Sequence, residues 1–375
     1  MSIDNKDKIL NVPNLRFPGF GGEWKTLFVD DVCPEFQSGK NIKAENIKSE
    51  GLYPVYGGNG LRGYTDIYNH DGTYVLIGRQ GALCGNVRLV EGRNYITEHA
   101  IAVSSSNEHC IYFLYYLFYK MNLGQYSDQS AQPGLAVNKL LRLKLHIPLK
   151  DEQTKIAKIL TLLDTRIATQ NKIIEDLKKL KVAIIENVFK AKCCNHKIGD
   201  IITQVSIRNK SNNVPNVLSV SNKQGFVEQS EQFEDRTVAS EDVTNYKIVR
   251  TNDFAYNPAR INVGSIARLK QHESGIVSPM YICFHTKKDV LPEYLEIFFH
   301  TQSFKHEMYK RLEGSVRLCL SYEGLTNIPI FIPGIPAQLE ISKRIFVFER
   351  KIATEECYLN ALEQQKQYLL QQMFI

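Results

Sequence analysis

Two long stretches of this chain repeat apolar residues in steps of three and four, the spacing that places side chains on one face of a helix. The pattern runs over residues 156–188 in the first stretch and over residues 341–373 in the second. It is kept for about five heptads in each, which is typical of a coiled coil. We chose as seam positions Ile156, Leu163, Ile167, Ile174, Leu177, Ile341, Phe348, Ile352, Leu359 and Leu362.

The two helical stretches are copies of each other. Residues 147–189 align without a gap to residues 332–374, a shift of 185 residues (332 − 147) in a chain of 375. The match includes an Ile-Pro pair and, five residues after the proline, a glutamine, which is Gln153 in the first copy and Gln338 in the second. A repeat of this size indicates two tandem half-proteins.

The order of the segments predicts four parts, namely a domain at residues 13–148, a spacer helix at 149–192, a second domain at 195–333 and a second spacer helix at 334–375. Burying a seam stabilises a protein by about 25 cal/mol per Å² of apolar surface, so we expect the helices to pair with each other. The second domain adjoins the end of the first helix and the start of the second. Paired helices in this order have to be antiparallel.

The two domains are predicted to mix strands and helices. Short β-rich runs at residues 73–77, 101–103, 217–220 and 280–284 lie between Gly, Asn and Pro clusters. Each domain then has an aromatic helix, at residues 110–121 and 292–311, and an apolar strand, at residues 140–147 and 325–332. The predicted fold class is α+β, with two mixed α/β domains separated by two long antiparallel coiled-coil helices and a pseudo-two-fold internal repeat.

Composition and charge exclude little. The apolar fraction of 43% is ordinary for packed domains, and a net charge of +6 permits a nucleic-acid partner without requiring one. Apolar runs are too short to span a bilayer, and residues 1–10 are too polar for a secretory signal. Eight scattered cysteines without a C-x-x-C pair predict free thiols, no metal site and a cytoplasmic location.

Several short motifs resemble those of specificity subunits of type I restriction-modification systems. The segment LRFPGF at residues 15–20, with GEW at 22–24, is similar to the entry of the first target-recognition domain of that family. YPVYGGNG (53–60), IGRQGA (77–82) and TEH (97–99) resemble loops of the same domain, and YNPARINVGS (256–265) resembles its counterpart in the second. The Ile-Pro pair with Glu152 and Gln153 resembles the start of the spacer helix. Ala337 replaces the acidic residue in the second copy, where we expect a softer partner contact.

The resemblance implies a subunit that does no chemistry itself. Such a subunit selects a bipartite, asymmetric site in double-stranded DNA, one half per recognition domain. It holds two methyltransferase subunits that methylate adenine N6, and two motor-nuclease subunits join for restriction. S-adenosylmethionine, ATP and Mg²⁺ would belong to those partners, and this chain would bind no cofactor and no metal.

Base reading requires forked donors and side-chain amides in loops, because Arg suits guanine and Asn or Gln suits adenine. We therefore predict DNA contacts from Asn59, Arg62, Arg79, Gln80, Asn86, Asn222, Lys223, Gln224, Arg260 and Asn262. Each has a structural alternative: Asn59 fits a left-handed turn, and Arg79 or Arg260 fits an ion pair or a phosphate contact.

Three other functions fit parts of the sequence. An adenine methyltransferase would use residues 257–260 (NPAR) as its catalytic motif, but that motif lacks the second proline and the aromatic residue needed to clamp a base. A nuclease would use Glu23 beside Lys25, but no suitable aspartate precedes them in a strand. A coiled-coil scaffold without DNA specificity would show no sequence-dependent retention of a duplex.

Overall fold

The protein is seen in a computed structural model that describes residues 11–128, 134–190, 193–222, 224–229, 242–315 and 317–375. The chain forms two compact units. The first unit consists of Met1–Asn171 and Cys357–Ile375, and the second of Lys172–Glu356. Each boundary falls inside a long helix.

The first unit is a mixture of short strands and helices. Its strands are β1 (Lys25–Phe28), β2 (Phe36–Ser38), β3 (Tyr53–Gly57), β4 (Gly60–Thr65), β5 (His70–Asp71), β6 (Tyr74–Gly78), β7 (Val87–Val90), β8 (Arg93–Ile96), β9 (Ala100–Val103) and β10 (Lys144–Ile147). Its helices are α1 (Val29–Val32), α2 (Ile111–Met121), α3 (Val137–Leu141) and the first part of α4 (Lys150–Lys190), with 3-10 turns at Ala44–Asn46 and Leu123–Tyr126.

These strands form two four-stranded sheets and a separate pair. One sheet has the order β2-β9-β6-β7, and the other has the order β4-β3-β8-β5 with β3 and β8 parallel. The separate pair is β1 with β10, joined antiparallel. The main core lies between the first sheet and α2, where Val75, Ile77 and Ile101 pack with Phe113 and Phe118.

The second unit contains the same kinds of element. Its strands are β11 (His196–Lys197), β12 (Ile202–Val205), β13 (Val217–Ser221), β14 (Gly225–Glu228), β15 (Lys247–Arg250), β16 (Phe254–Tyr256), β17 (Ile266–Arg268), β18 (Ser274–Val277), β19 (Ile282–Thr286) and β20 (Pro329–Ile330). Its helices are α5 (Ile198–Ile201), α6 (Pro292–Phe299), α7 (Gln302–Tyr309), α8 (Tyr322–Thr326), the rest of α4 and most of α9 (Ile335–Gln372), with a 3-10 turn at Ile261–Val263.

The sheets of the second unit repeat the connectivity of the first. Their orders are β12-β19-β16-β17 and β14-β13-β18-β15, with β13 and β18 parallel, and β11 pairs with β20. Each strand of one unit therefore has a topological equivalent in the other. The repeat extends through both whole domains, although the sequences upstream of the Ile-Pro pairs diverge. The predicted fold class is confirmed.

Three predicted elements near the domain ends were wrong in detail. The aromatic helix at 292–311 is two helices, because Thr301 caps α7 by accepting a hydrogen bond from Phe304 N (3.0 Å) and so starts a new helix. The strands predicted from residues 140 and 325 begin as the short helices α3 and α8. Leu140 and Leu325 are fully buried there, so a helix satisfied the apolar pattern that we had assigned to a strand.

Gln153 and Gln338 lie at the starts of α4 and α9, and both are buried. Oε1 of Gln153 accepts a hydrogen bond from the N-cap residue of α2, Cys110 N, at 2.8 Å, and Oε1 of Gln338 accepts one from the N-cap residue of α6, Leu291 N, at 2.8 Å. In each case Nε2 donates to the proline carbonyl five residues earlier, at 2.9 and 2.8 Å. We call this arrangement the glutamine clasp. It fixes the long helix to the domain that precedes it.

The predicted seam residues lie on the inner faces of the long helices. In the first unit the start of α4 packs with the end of α9, since Leu160 and Leu163 share a core with Leu362 and Leu369. In the second unit Ile185 of α4 shares a core with Ile345 of α9. Buried are Ile156, Leu163, Ile174, Ile352 and Leu362, and half-buried are Ile167, Leu177, Ile341, Phe348 and Leu359.

Ion pairs show that the helices run antiparallel. In the second unit Lys178 lies 2.6 Å from Glu356 and Lys181 lies 3.3 Å from Glu349, so a step forward along α4 is a step back along α9. No helix in the described part of the chain has the combination of length and apolar character that crossing a membrane demands.

The same ion pair occurs once in each unit. Lys366 lies 2.6 Å from Asp164 in the first unit, and Lys181 lies beside Glu349 in the second. The two lysines are 185 residues apart, and so are the two carboxylates. The repeat thus preserves both members of a contact between the helices.

Glu152 has a different role from the one that we expected. Its carboxylate is 1% exposed and receives two hydrogen bonds from Arg16, at 2.7 and 2.8 Å, so it is not free for a partner. The backbone N–H of Leu15 also donates to Gln372 O (2.9 Å). The residues around Arg16 are thereby fixed to both long helices within the first unit. Ala337 replaces Glu152 in the second copy, so it cannot accept such a contact.

Candidate nucleic-acid interface

Three connections of the first unit meet at one edge of its two sheets. They are the turn between β3 and β4 (residues 58–59), the loop between β6 and β7 (79–86) and the turn between β8 and β9 (97–99). Arg79 N donates to His99 O at 2.9 Å, and Thr97 N donates to Tyr56 O at 2.9 Å. These bonds hold the three connections together, and we call them the first loop site.

All five predicted residues of the first domain lie in or beside this site. Asn59, Arg62, Gln80 and Asn86 are exposed, and Arg79 is half-buried. The side chain of Gln80 contacts His99, with Oε1 at 3.2 Å from Nδ1. Asn59 is absent from the non-glycine residues with positive φ, so it does not fill a left-handed turn. Their role in DNA binding stays a prediction.

Arg88 was not among the predicted contacts, although it is exposed near the start of β7, two residues after the loop residue Asn86. Side chains alternate along a strand, so residues two apart share a face. That spacing is the signal that could have found it. Glu98 and His99 were noted as part of a motif but not as site residues, and Nε2 of His99 lies 3.2 Å from Oε1 of Glu98.

The equivalent three connections meet in the second unit. They are residues 222 and 224, 257–265 and 278–281, and we call them the second loop site. Ser265 Oγ donates to Val220 O (3.0 Å), and Asn257 Nδ2 lies 3.7 Å from Met280 Sδ. Exposed in it are Asn222, Gln224, Arg260 and Asn262, whereas Lys223 lies outside the described residues.

One hydrogen bond shows that the two loop sites are built alike. Leu135 N donates to Arg79 O at 2.9 Å in the first unit, and Leu320 N donates to Pro258 O at 3.1 Å in the second. The two leucines are 185 residues apart. In both units the chain segment before the last short helix therefore supports the loop after the central strand.

Tyr256 supports the second loop site from below. It is fully buried, its hydroxyl donates to Leu320 O (3.2 Å), and burial raises the pKa of the phenol above its usual value. It therefore packs rather than stacks on a ligand. Among the described residues there is no group of His, Cys, Asp and Glu side chains arranged to hold a metal ion.

Comparison with known proteins finds one family over part of this chain. Residues 21–179 match the family described as the type I restriction modification DNA specificity domain. The EcoprrI specificity subunit of Escherichia coli is 49% identical over 148 residues, which cover 38% of this chain and 36% of that protein. A putative type I restriction enzyme specificity subunit of Haemophilus influenzae is 27% identical over 141 residues, 37% of this chain and 36% of that protein. The matched segments thus span well under two thirds of these relatives.

Solved structures match over nearly the whole chain. The S subunit of a type I restriction-modification system from M. genitalium has a TM-score of 0.64 at 17% identity, covering 97% of this chain and 99% of its own. A chain from a study of complex assembly and conformational transition of the type I R-M system has a TM-score of 0.56 at 12% identity, covering 96% and 99%. At these identities the likeness shows the fold. The resemblance to type I restriction-modification specificity subunits that the sequence motifs predicted is therefore confirmed by the family match over residues 21–179, and the fold of an S subunit is shared over nearly the whole chain.

Proposed function

We propose that this chain is the DNA-recognition subunit of a type I restriction-modification complex and reads a bipartite, asymmetric site. The observation that carries the proposal is the occurrence of one loop site in each unit, built on the same strands but with different exposed side chains. A common scaffold with different tips is what two readers of unlike half-sites require. Forked donors and amides at loop tips can enter the major groove, where every base pair has its own donor and acceptor pattern.

The outer faces of the long helices offer a surface for the methyltransferase partners. Several apolar side chains on α4 and α9 are more than 40% exposed, including Leu162, Leu180, Phe346 and Val347. Exposed apolar groups of this kind mark protein interaction sites. Two adenine-N6 methyltransferase subunits would dock on these helices, and two motor-nuclease subunits would join for restriction.

The chain itself would do no chemistry in the cytoplasmic complex. The NPAR segment that a methyltransferase would need for catalysis supports loop structure instead, since Asn257 Oδ1 accepts from Ala259 N (3.0 Å) and Pro258 O accepts from Leu320 N. S-adenosylmethionine, ATP and Mg²⁺ would be bound by the partners. Those partners have to take the adenine out of the base stack to reach N6.

Mapping of N6-methyladenine in cells with and without this chain tests the proposal. We expect methylation at one bipartite sequence that disappears when the chain is deleted. Purified complex of the chain and its methyltransferase should also retain a duplex with that sequence at a salt concentration that releases other duplexes. Unchanged methylation, or retention without sequence preference, would favour a coiled-coil scaffold instead.

A further inference from the structure

In each unit a glycine with positive φ begins the second strand of the hairpin beside the loop site. Gly60 (φ 106°) begins β4 in the first unit, and Gly225 (φ 73°) begins β14 in the second. A Cβ on Gly60 would come within 3.0 Å of Arg88 Nη2 and 3.2 Å of its Cζ, whereas one on the second glycine would lie 3.6 Å from the Cβ of Ala267. Arg88 and Ala267 are equivalent, because each is the second residue of the strand after the central one. The first unit thus has a guanidinium against its hairpin where the second has a methyl group.

Arg62 lies on a β-bulge of the first hairpin. Leu61 and Gly63 of β4 pair with the consecutive residues 56 and 55 of β3, so Arg62 between them is the extra residue. Bulges of this kind re-aim a side chain and are common beside functional sites. A Cβ on Gly57 would come within 2.8 Å of Arg62 Cδ, so the glycine makes room for the arginine. The hairpin of β13 and β14 pairs in a constant register, and its paired residues include no counterpart of the bulged arginine.

The two arginines meet at one end of this hairpin. Gly57 and Gly60, the glycines against which they lie, are paired with each other on either side of the turn at residues 58–59. Arg62 and Arg88 are both exposed. Counting only the residues that the structure describes, neither has an Asp or Glu oxygen within 4.0 Å, whereas Arg93 of the same unit has one at 3.0 Å. Like charges repel, so such a pair fits a ligand that supplies acceptors.

An arginine that is held in place suits the reading of base edges. A phosphate is bound by a point charge as well as by a fork of donors, since lysine binds phosphates routinely. Reading a base edge instead requires the donors of the planar guanidinium fork to meet acceptors at fixed positions. Contact with the glycine of the turn orders the fork of Arg88, and the bulge sets the direction of Arg62.

We infer that Arg88, together with Arg62, is a specificity-determining residue of the first domain and donates to base edges of the half-site that this domain reads. The inference rests on the proposed function and adds to it which side chains set the sequence preference of one half-site. Gly60 is a positioning residue, because it leaves the space in which the guanidinium of Arg88 lies. The second domain has Ala267 at the equivalent position and reads its half-site without this contact.

Selection from a library of random duplexes, with the complex of the full chain and its methyltransferase, tests the inference. The wild-type chain should enrich one bipartite sequence. Arg88→Gln should relax the preference at one position of one half by about 5- to 100-fold and leave the other half unchanged. Arg62→Gln should relax a position in the same half. Gly60→Ala, whose Cβ displaces the guanidinium, should relax the same position as Arg88→Gln.

Two further variants separate base reading from charge. Arg88→Lys keeps the charge but loses the fork, so it should relax the same position as Arg88→Gln. Arg93→Gln removes the same charge from the opposite end of β8 from residue 97, and it should leave the selected sequence unchanged. If Arg88→Gln weakens all duplexes equally, or Arg88→Lys keeps the wild-type preference, the inference is overturned while sequence-specific recognition stands. If the wild-type complex enriches no sequence, both the inference and the proposed function fail.

Discussion

The side chain of Gln153 explains why the spacing between the Ile-Pro pair and the glutamine is the same in both copies of the repeat. Replacing Gln153 with Leu removes the glutamine clasp of the first unit and leaves the N-cap N–H of α2 and a proline carbonyl without partners. Each unsatisfied buried group costs about 1–3 kcal/mol, so we expect the free energy of unfolding to fall by about 2–5 kcal/mol. Hydrogen exchange of the first residues of α2 measures the effect locally.

The matched control is Gln365→Leu on the exposed face of α9. It changes the same atoms without a buried partner and should stay within about 0.5 kcal/mol of the wild type. Gln338→Leu should reproduce the loss in the second unit, at the start of α6. Equal protection of α2 in Gln153→Leu and the wild type would show that the clasp is not a stabilising contact.

The pair of Arg16 and Glu152 gives a second prediction. Arg16→Ala leaves a buried carboxylate without its partner and should destabilise the first unit by about 3–5 kcal/mol. Adding Glu152→Ala, which copies the residue at 337, should restore most of that loss. Denaturant unfolding of the two single variants and the double variant measures the coupling, and additive losses would contradict it.

His109 makes the first unit sensitive to acid. Burial lowers the pKa of its imidazole, with Lys150 acting in the same direction and Glu108 against it, and Gln153 Nε2 lies 3.2 Å from Nδ1. The unfolded chain takes up the proton below about pH 6.5, before the folded chain does, so stability is full above that pH and falls as pH drops toward the folded pKa. Melting at about pH 7.5 and about pH 5.5 should show a smaller drop for His109→Gln than for the wild type. An equal drop would assign the acid sensitivity to other groups.

At the scale of residues, the sequence reveals where the loop residues lie but not what each of them does. The predicted residues of the first domain do lie around one site, because loop tips rich in Gly, Asn and Arg are recognisable in a sequence. Arg88 was missed since it lies on a strand, where only the register shows that it points to the same edge. The buried role of Glu152 could not be read because its partner is 136 residues away.

At the scale of elements, two adjacent leucines of α4 have different roles, one in folding and the other in docking of a partner. Leu163 is 5% exposed in the core shared with α9, whereas Leu162 is 55% exposed on the outer face of α4. Leu163→Asp buries an unpaired carboxylate and should lower the free energy of unfolding by about 3–5 kcal/mol. Leu162→Asp should leave the chain folded and weaken its co-purification with the methyltransferase. A folded Leu163→Asp chain of normal stability would contradict the helix pairing.

The long helices could be predicted because their period is sustained over many turns and appears twice. Boundaries near α3, α6 and α8 could not, since short apolar runs fit a strand or a helix equally well. The break before α7 depends on one hydroxyl, Thr301 Oγ1, and a threonine inside an aromatic run does not reveal whether it caps a helix.

At the scale of the whole molecule, the two halves share their strand order throughout, but they share recognisable sequence only in part. The clasp, the seam and the ion pair between the helices need particular side chains, so residues 147–189 and 332–374 still match. The strands need only alternating apolar positions, and many residues satisfy that requirement. Identical sheet orders could therefore survive while the side chains diverged beyond recognition.

Because the net charge of the chain is +6, we expect its affinity for DNA to depend on the salt concentration. Binding of the methyltransferase complex to a duplex without the recognition sequence should weaken by more than about tenfold between about 50 and about 200 mM salt, because phosphate contacts release counterions. Fluorescence anisotropy at several salt concentrations gives the slope. An affinity independent of salt would show that neither loop site engages the phosphate backbone.

The twice-occurring lysine–carboxylate pair limits how this chain can change in length during evolution. An insertion in α4 between Asp164 and Lys181 moves one of these lysines away from its partner unless α9 gains the same number of residues between Glu349 and Lys366. Insertions of whole heptads also keep the apolar stripe in phase. In natural homologues whose long helices differ in length, we therefore expect both helices to differ by the same number of whole heptads. A comparison of the two helix lengths across genomes would test this expectation.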